Sequence, residues 1–165
     1  EFIVPNEHLQ SIFEEQSIFW VNDLEQVSAL VVRTLSDFKR DVDFGGLLPS
    51  MYKDEEEDKE FVRELFRKTA TNSGPYQKLI EEKLENWDMD RIASTDILLM
   101  QMAVSEFINI KSVPTKVTMN EYIEIAKEYS TPKSHGFING ILDKLLAELK
   151  KEGKIKKVGK GLIGG

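Results

Sequence analysis

The segment Ile97-Leu98-Leu99-Met100-Gln101-Met102-Ala103-Val104 leaves a helix almost no polar side to turn toward water. The spacing predicts a helix over residues 91–108, and a helix apolar nearly all round is stable only when other elements enclose it. The rest of the chain must therefore wrap around this helix. Met100 and Met102 suit a pliable groove, but core filling is the commoner use of methionine.

Apolar residues recur at helical spacing almost throughout, with no sustained period-two alternation and no Asn-Gly or Asp-Gly hairpin signal. The fold class is all-α. A first helix is expected over residues 6–20 with Leu9, Ile12, Phe13 and Phe19 inward, and a second over 23–41 through Val27, Leu30, Val31, Leu35 and Phe38. Together these read as an N-terminal helical hairpin, residues 1–50, packed on the rest. Gly45-Gly46 and Pro49 mark a loop. The run Asp54-Glu55-Glu56-Glu57-Asp58 then puts negative charge on the first turn of a third helix, where the dipole favours it. Five consecutive acids point in all directions around a helix and do not converge on a metal.

That helix runs through Phe61, Leu65, Phe66 and Ala70 to Asn72-Ser73-Gly74-Pro75, which stops it and starts another with Pro75 at a first helical position. After the enclosed helix, Thr115 or Ser112 is expected to cap a helix ending at Tyr129, with Met119, Tyr122, Ile123 and Ala126 inward. Thr131-Pro132 reads as cap and first position of the last helix, whose core stripe is Phe137, Ile138, Ile141, Leu142, Leu145, Leu146 and Leu149. Residues 54–151 form the expected core. Beyond them, residues 152–165 are rich in Lys and Gly and are expected to be a basic, mobile tail.

Charge is graded along the chain. Residues 1–60 hold 5 bases and 15 acids (5 − 15 = −10), 61–130 hold 9 and 11 (9 − 11 = −2), and 131–165 hold 8 and 3 (8 − 3 = +5). A polyanion is repelled by the first third and attracted to the last. The chain has no cysteine, no apolar run of membrane-spanning length and no signal-peptide layout, so it reads as cytoplasmic, with no membrane partner. It begins without methionine, which points to sequence upstream of Glu1.

Catalysis finds little support. There is no Gly-rich phosphate loop, no Gly-x-Ser-x-Gly and no His or Cys at metal spacing, so no cofactor or metal is expected. His135, Asn139 and Asp143 recur every four residues on the last helix, but no nucleophile is tied to His135. Surface hydrogen bonding or ligand contact is the better reading. A helical scaffold holding polar groups on chosen faces suits a protein that binds protein or RNA.

At this point the residues resemble a known family. Asp90-Arg91-Ile92-Ala93, Asp96-Ile97-Leu98-Leu99-Met100, Glu106, Val113-Pro114-x-Lys116-Val117, Asn120-Glu121, Glu124-x-Ala126-Lys127-x-Tyr129, Ser134 and Phe137-Ile138-Asn139-Gly140-Ile141-Leu142-Asp143 are similar in order and spacing to the NusB signature. The match spans some ninety residues. The resemblance implies a bundle of about seven helices in two sub-bundles. It also implies a non-enzymatic transcription antitermination factor that pairs with the small-subunit ribosomal protein NusE, binds the boxA RNA of ribosomal RNA operons and joins the RNA polymerase antitermination complex.

Carried over by position, the resemblance assigns Asp96, Glu106 and Glu121 to the partner side, where acids would meet a basic protein. A buried hydrogen bond is the competing role for Glu106, and scaffold for Asn120 and Glu121. Lys116, Tyr129, Lys133 and His135 fall at or beside the RNA-facing edge, where lysine neutralises phosphate and a ring stacks an unpaired base. Phe137 matches too, though its register favours packing. In one respect the chain departs from the family: no Arg or Lys precedes Arg33, whereas the family opens on an Arg-rich stretch. The basic start then lies upstream of Glu1, or RNA binding has moved, with the Lys-rich tail a candidate on charge. Two alternatives go with the resemblance: the NusB-like RNA-binding domain of a ribosomal RNA cytosine methyltransferase, and a protein-interaction module without RNA.

Overall fold

A computed structural model describes residues 5–17, 20–38, 52–84 and 92–162. Among them are seven α-helices and no strand: α1 Glu7–Gln16, α2 Trp20–Ser36, α3 Glu55–Thr71, α4 Ser73–Glu81, α5 Ser94–Asn109, α6 Thr115–Tyr129 and α7 Ser134–Lys151, then a 3-10 turn at Gly159–Leu162. The chain divides into two compact units, Glu1–Lys53 and Asp54–Gly165.

In the first unit α1 and α2 pack together. Asn6 caps α1, its side chain accepting from the Leu9 N–H at 3.1 Å. Against the expectation of one helix over residues 6–20, α1 stops at Gln16, because Ser17 turns extended while its N–H still bonds the Phe13 carbonyl. The break lets Trp20, first residue of α2, fold back on Phe13 with ring centroids 5.0 Å apart. Tertiary packing of two rings has overridden helix continuity. Of the described side chains here only Leu24 is buried, and Val31, Leu35 and Phe38 are exposed rather than inward. Phe19, Gly45, Gly46 and Pro49 lie outside the described residues.

The second unit is built around α5, which packs against α3, α4, α6 and α7. From Leu99 to Phe107 only Met102 is not buried, so this part of the helix is enclosed, while Leu98 one residue earlier is exposed. Phe107, Met100, Val104, Ile80, Ile138, Leu142, Leu145 and Leu149 are the large fully buried apolar side chains of this core. Polar groups tie α4 to α5: Asn109 Nδ2 donates to the Tyr76 hydroxyl at 3.0 Å, and Gln101 Nε2 to the Ser73 carbonyl at 3.4 Å. The acid run does what the dipole argument requires, with Asp54 as cap accepting from the Glu57 N–H and Glu55 pairing with Lys59.

Three helix starts differ from expectation. Pro75 is the third residue of α4, still within the first turn, where a missing N–H leaves no bond unmade. Pro114 occupies the cap position of α6, and Thr115 is a buried first residue instead of a cap. α7 begins at Ser134, two residues after Pro132.

The largest difference is the C-terminal segment. Instead of a loose tail, residues 154–158 lie on the core: Ile155 packs against it, Val158 N–H donates to the Lys111 carbonyl at 3.0 Å, and Lys157 Nζ donates to the carbonyls of Ile110 at 2.7 Å and Glu106 at 3.1 Å. Composition identified a Lys-Gly segment but not the carbonyls at the end of α5 that hold it.

Because Leu142 is fully buried on α7, Leu142→Ala removes packing the helix cannot replace. It is expected to cost about 2–5 kcal/mol in urea unfolding, with the folded spectrum retained.

Candidate binding site at the start of α7

α6 ends at Tyr129, Ser130 turns extended, and residues 131–133 form the turn into α7. Ser134 closes that turn: its N–H donates to the Thr131 carbonyl at 2.9 Å, while its hydroxyl accepts from the Thr131 N–H at 3.2 Å and lies 2.8 Å from the Thr131 hydroxyl. Beneath it sits Asp96 in the first turn of α5, where the helix dipole favours an anion. Its Oδ1 accepts from the Ser130 hydroxyl at 2.5 Å, and its Oδ2 from the Ser134 hydroxyl at 2.7 Å. One buried carboxylate therefore joins the start of α5, the end of α6 and the start of α7.

Above this latch opens a recess of about 850 Å³. Ile92, Ala93 and Asp96 line it from α5 and the residues before it, and residues 131–137 line it from the α6–α7 turn and the start of α7. Lys133 is exposed on it, His135 is half-exposed, and Phe137 is half-buried and packs on the core. Tyr129 is exposed at the neighbouring end of α6.

The structure brings Tyr129, Lys133 and His135 to one end of the unit and leaves Lys116 at the other. Lys116 lies in the first turn of α6, thirteen residues before Tyr129. At 1.5 Å per residue that is roughly 20 Å away. Lys116 instead lines a cleft of about 360 Å³ with Asn120, Asn139, Asp143 and Lys150. The row His135, Asn139 and Asp143 is thus divided between two sites.

Two of the three acids expected to face a partner are internal. Asp96 is 4 % exposed and Glu106 5 %. Glu106 Oε1 accepts from the Thr118 hydroxyl at 2.7 Å, and Oε2 from the Tyr122 hydroxyl at 3.1 Å. Burial raises the Glu106 carboxyl above the ordinary range, against the lowering effect of those two hydroxyls. Burial likewise lowers the Lys157 ammonium, which the Glu106 charge partly restores. Both acids are thus taken up by internal hydrogen bonds, the competing role expected for Glu106, which Asp96 shares. Glu121 is exposed.

Sequence reasoning missed Ser130 and took Thr131 only as a helix cap, though both are part of the latch. Their signal was a run of hydroxyl residues, Ser130-Thr131 and then Ser134, at a helix junction. Nothing local connects it to an acid 34 residues upstream. Among the described residues no group of three His, Cys, Asp or Glu could hold a metal ion, and no helix is long and apolar enough to cross a membrane.

The NusB family model matches residues 29–147. The chain belongs to the NusB family. Its signature residues divide in the structure into latch, core and rim. The chain is 42 % identical over 106 residues to the transcription antitermination protein NusB of Salinibacter ruber, covering 64 % of this chain and 66 % of that protein. It is 37 % identical over 118 residues to the protein of the same name from Chloroherpeton thalassium, covering 72 % and 56 %. These matches span less than two thirds of either relative. A solved structure of T. maritima NusB is similar with a TM-score of 0.53 at 33 % identity, covering 74 % of this chain and 87 % of that one.

Two outcomes follow from the buried acids. Asp96→Asn and Ser134→Ala should each cost about 1–3 kcal/mol in urea unfolding, and less in combination than their sum, because both remove the same bond. For Glu106 the folded value lies above the unfolded one. The folded state therefore binds the proton more tightly, and this group adds stability as pH falls from above the raised value toward the ordinary 4.5. Unfolding free energies measured from pH 8 to pH 4 should show the parent gaining relative to Glu106→Gln toward the acid end. A constant difference would remove the shift.

Proposed function

We propose that this chain is a transcription antitermination factor, a non-catalytic adaptor that pairs with NusE, binds boxA RNA and works in the cytoplasm within the RNA polymerase antitermination complex. The observation that carries the reading is the α7 recess: a lysine and an imidazole line it on a turn fixed from below by Asp96, and a tyrosine is exposed at the neighbouring end of α6. Lysine there neutralises phosphate, and the rings offer stacking faces to unpaired bases, which is how single-stranded RNA is held. The antitermination role itself comes from the relatives, which are named for it.

In this reading Tyr129, Lys133 and His135 contact RNA. Glu121, the exposed acid of the signature, faces the basic partner, where opposite charge favours encounter. Asp96 and Glu106 support both surfaces without touching either ligand. The core over residues 54–151 carries the activity.

The test is retention of labelled RNA by the chain mixed with its own NusE. At matched moderate salt boxA RNA should be retained more than a scrambled RNA of the same length, and Lys133→Glu should weaken retention roughly tenfold with helicity unchanged. Equal retention of boxA and scrambled RNA would refute the proposal.

A further inference from the structure

The charge of the last 35 residues finds a use at the other end of the second unit. We infer that residues 154–158 are a fixed strap which, with the starts of α6 and the end of α7, completes a second contact edge for the phosphates of single-stranded RNA, distant from the α7 recess. This inference rests on the RNA-binding reading above.

The strap is built, not draped. α7 ends at Lys151, and after the cap residue Glu152 comes Gly153, whose φ of +67° is rarely adopted by residues with a side chain. Its N–H donates to the Lys150 carbonyl at 3.1 Å and the Lys154 N–H to that of Leu149 at 3.0 Å, turning the chain back toward α5. Ile155 then packs on the core, and the Lys157 ammonium seats on the carbonyls of Ile110 and Glu106 at the end of α5, the second of which also accepts the Ile110 N–H at 3.1 Å. Lys157 is half-buried there, in the field of the enclosed Glu106 carboxylate. The Val158 N–H on the Lys111 carbonyl closes the strap. Lys157 is therefore the anchor, its ammonium engaged by two carbonyls, and Lys154 is paired with Glu152 at 2.8 Å.

Four other lysines remain. Lys111 and Lys156 flank the Val158 bridge, and Lys116 and Lys150 line the α6–α7 cleft with Asn120, Asn139 and Asp143. All four are exposed and none has an ion pair among the described residues. Against them the exposed acid of the cleft is Asp143, since Glu106 is buried and Glu152 is paired. Glu121, exposed next to Asn120, is a second acid there, so four lysines stand against two acids; the surplus is positive and its backbone is held in place. Lysine is a point charge suited to phosphate, and the Asn120 and Asn139 carboxamides supply donors and acceptors for sugar or base edges. This assigns Lys116 to its own edge, apart from Lys133 and His135.

The experiment measures affinity of the chain for a single-stranded boxA oligonucleotide across a salt series, alone and with NusE. Lys111→Gln combined with Lys156→Gln should lower affinity about three- to tenfold. The slope of log affinity against log salt should become shallower by about 1.4, as expected for two lost phosphate contacts on a single strand. Lys157→Met should weaken binding too, with faster amide exchange at Val158 and unchanged exchange in α5. Should Lys157→Met fail to fold, the double glutamine variant, which leaves the anchor intact, decides alone. Unchanged affinity and slope in that variant, with Lys133→Glu still impaired, would overturn the edge and leave the α7 recess standing. Absence of RNA binding by the parent chain in both conditions would overturn both.

Discussion

Everything in the second unit depends on enclosing α5, and enclosure forces a solution for the two carboxylates the helix carries inside with it. A charged group taken from water into an apolar interior is costly unless hydrogen bonds replace its hydration. Asp96 meets this with the hydroxyls of Ser130 and Ser134, and Glu106 with those of Thr118 and Tyr122. Each acid thereby ties one end of α5 to its neighbours. At the Asp96 end the tie sets the α6–α7 turn, and at the Glu106 end it sets the start of α6 and the seat of Lys157. Two acids that look like surface charge in a linear sequence are the fixings of the fold.

That arrangement explains how the unit separates structure from display. The apolar members of the signature, among them Met100, Val104, Ile138 and Leu142, fill the core. The residues left outward, Lys133 and His135 at one end and Lys116 with Asn120 at the other, are mounted on helix ends whose positions the buried acids fix. Rigidity behind a polar rim lowers the ordering cost of binding. It suits an adaptor that holds groups in place and performs no chemistry on them.

The periodicity of residues 94–151 was legible because three consecutive amphipathic or fully apolar helices with clear breaks leave few alternatives. Helical spacing tells which residues share a face, however, and not which helix ends meet. Lys116 and Tyr129 therefore looked like members of one site although α6 holds them apart, and His135 and Asp143 looked aligned although they line different cavities. The Asp96–Ser134 bond spans 38 residues and the Lys157–Glu106 bond 51, beyond any local pattern. Composition likewise showed that the last residues were basic but not that the carbonyls of Glu106 and Ile110 at the end of α5 receive the Lys157 ammonium. The early end of α1 was hidden for the same reason, since it follows from a Phe13–Trp20 contact across the break.

The central claim is that Asp96 is a shared fixing of α5 and α7 and not a surface group. Amide hydrogen exchange resolved by residue, comparing the parent with Asp96→Asn under native conditions, tests it most directly. The account predicts that exchange quickens at both helix starts together, at residues 96–100 and 134–138, while the middle of α5 stays protected. Faster exchange confined to the start of α5, with α7 unaffected, would contradict it.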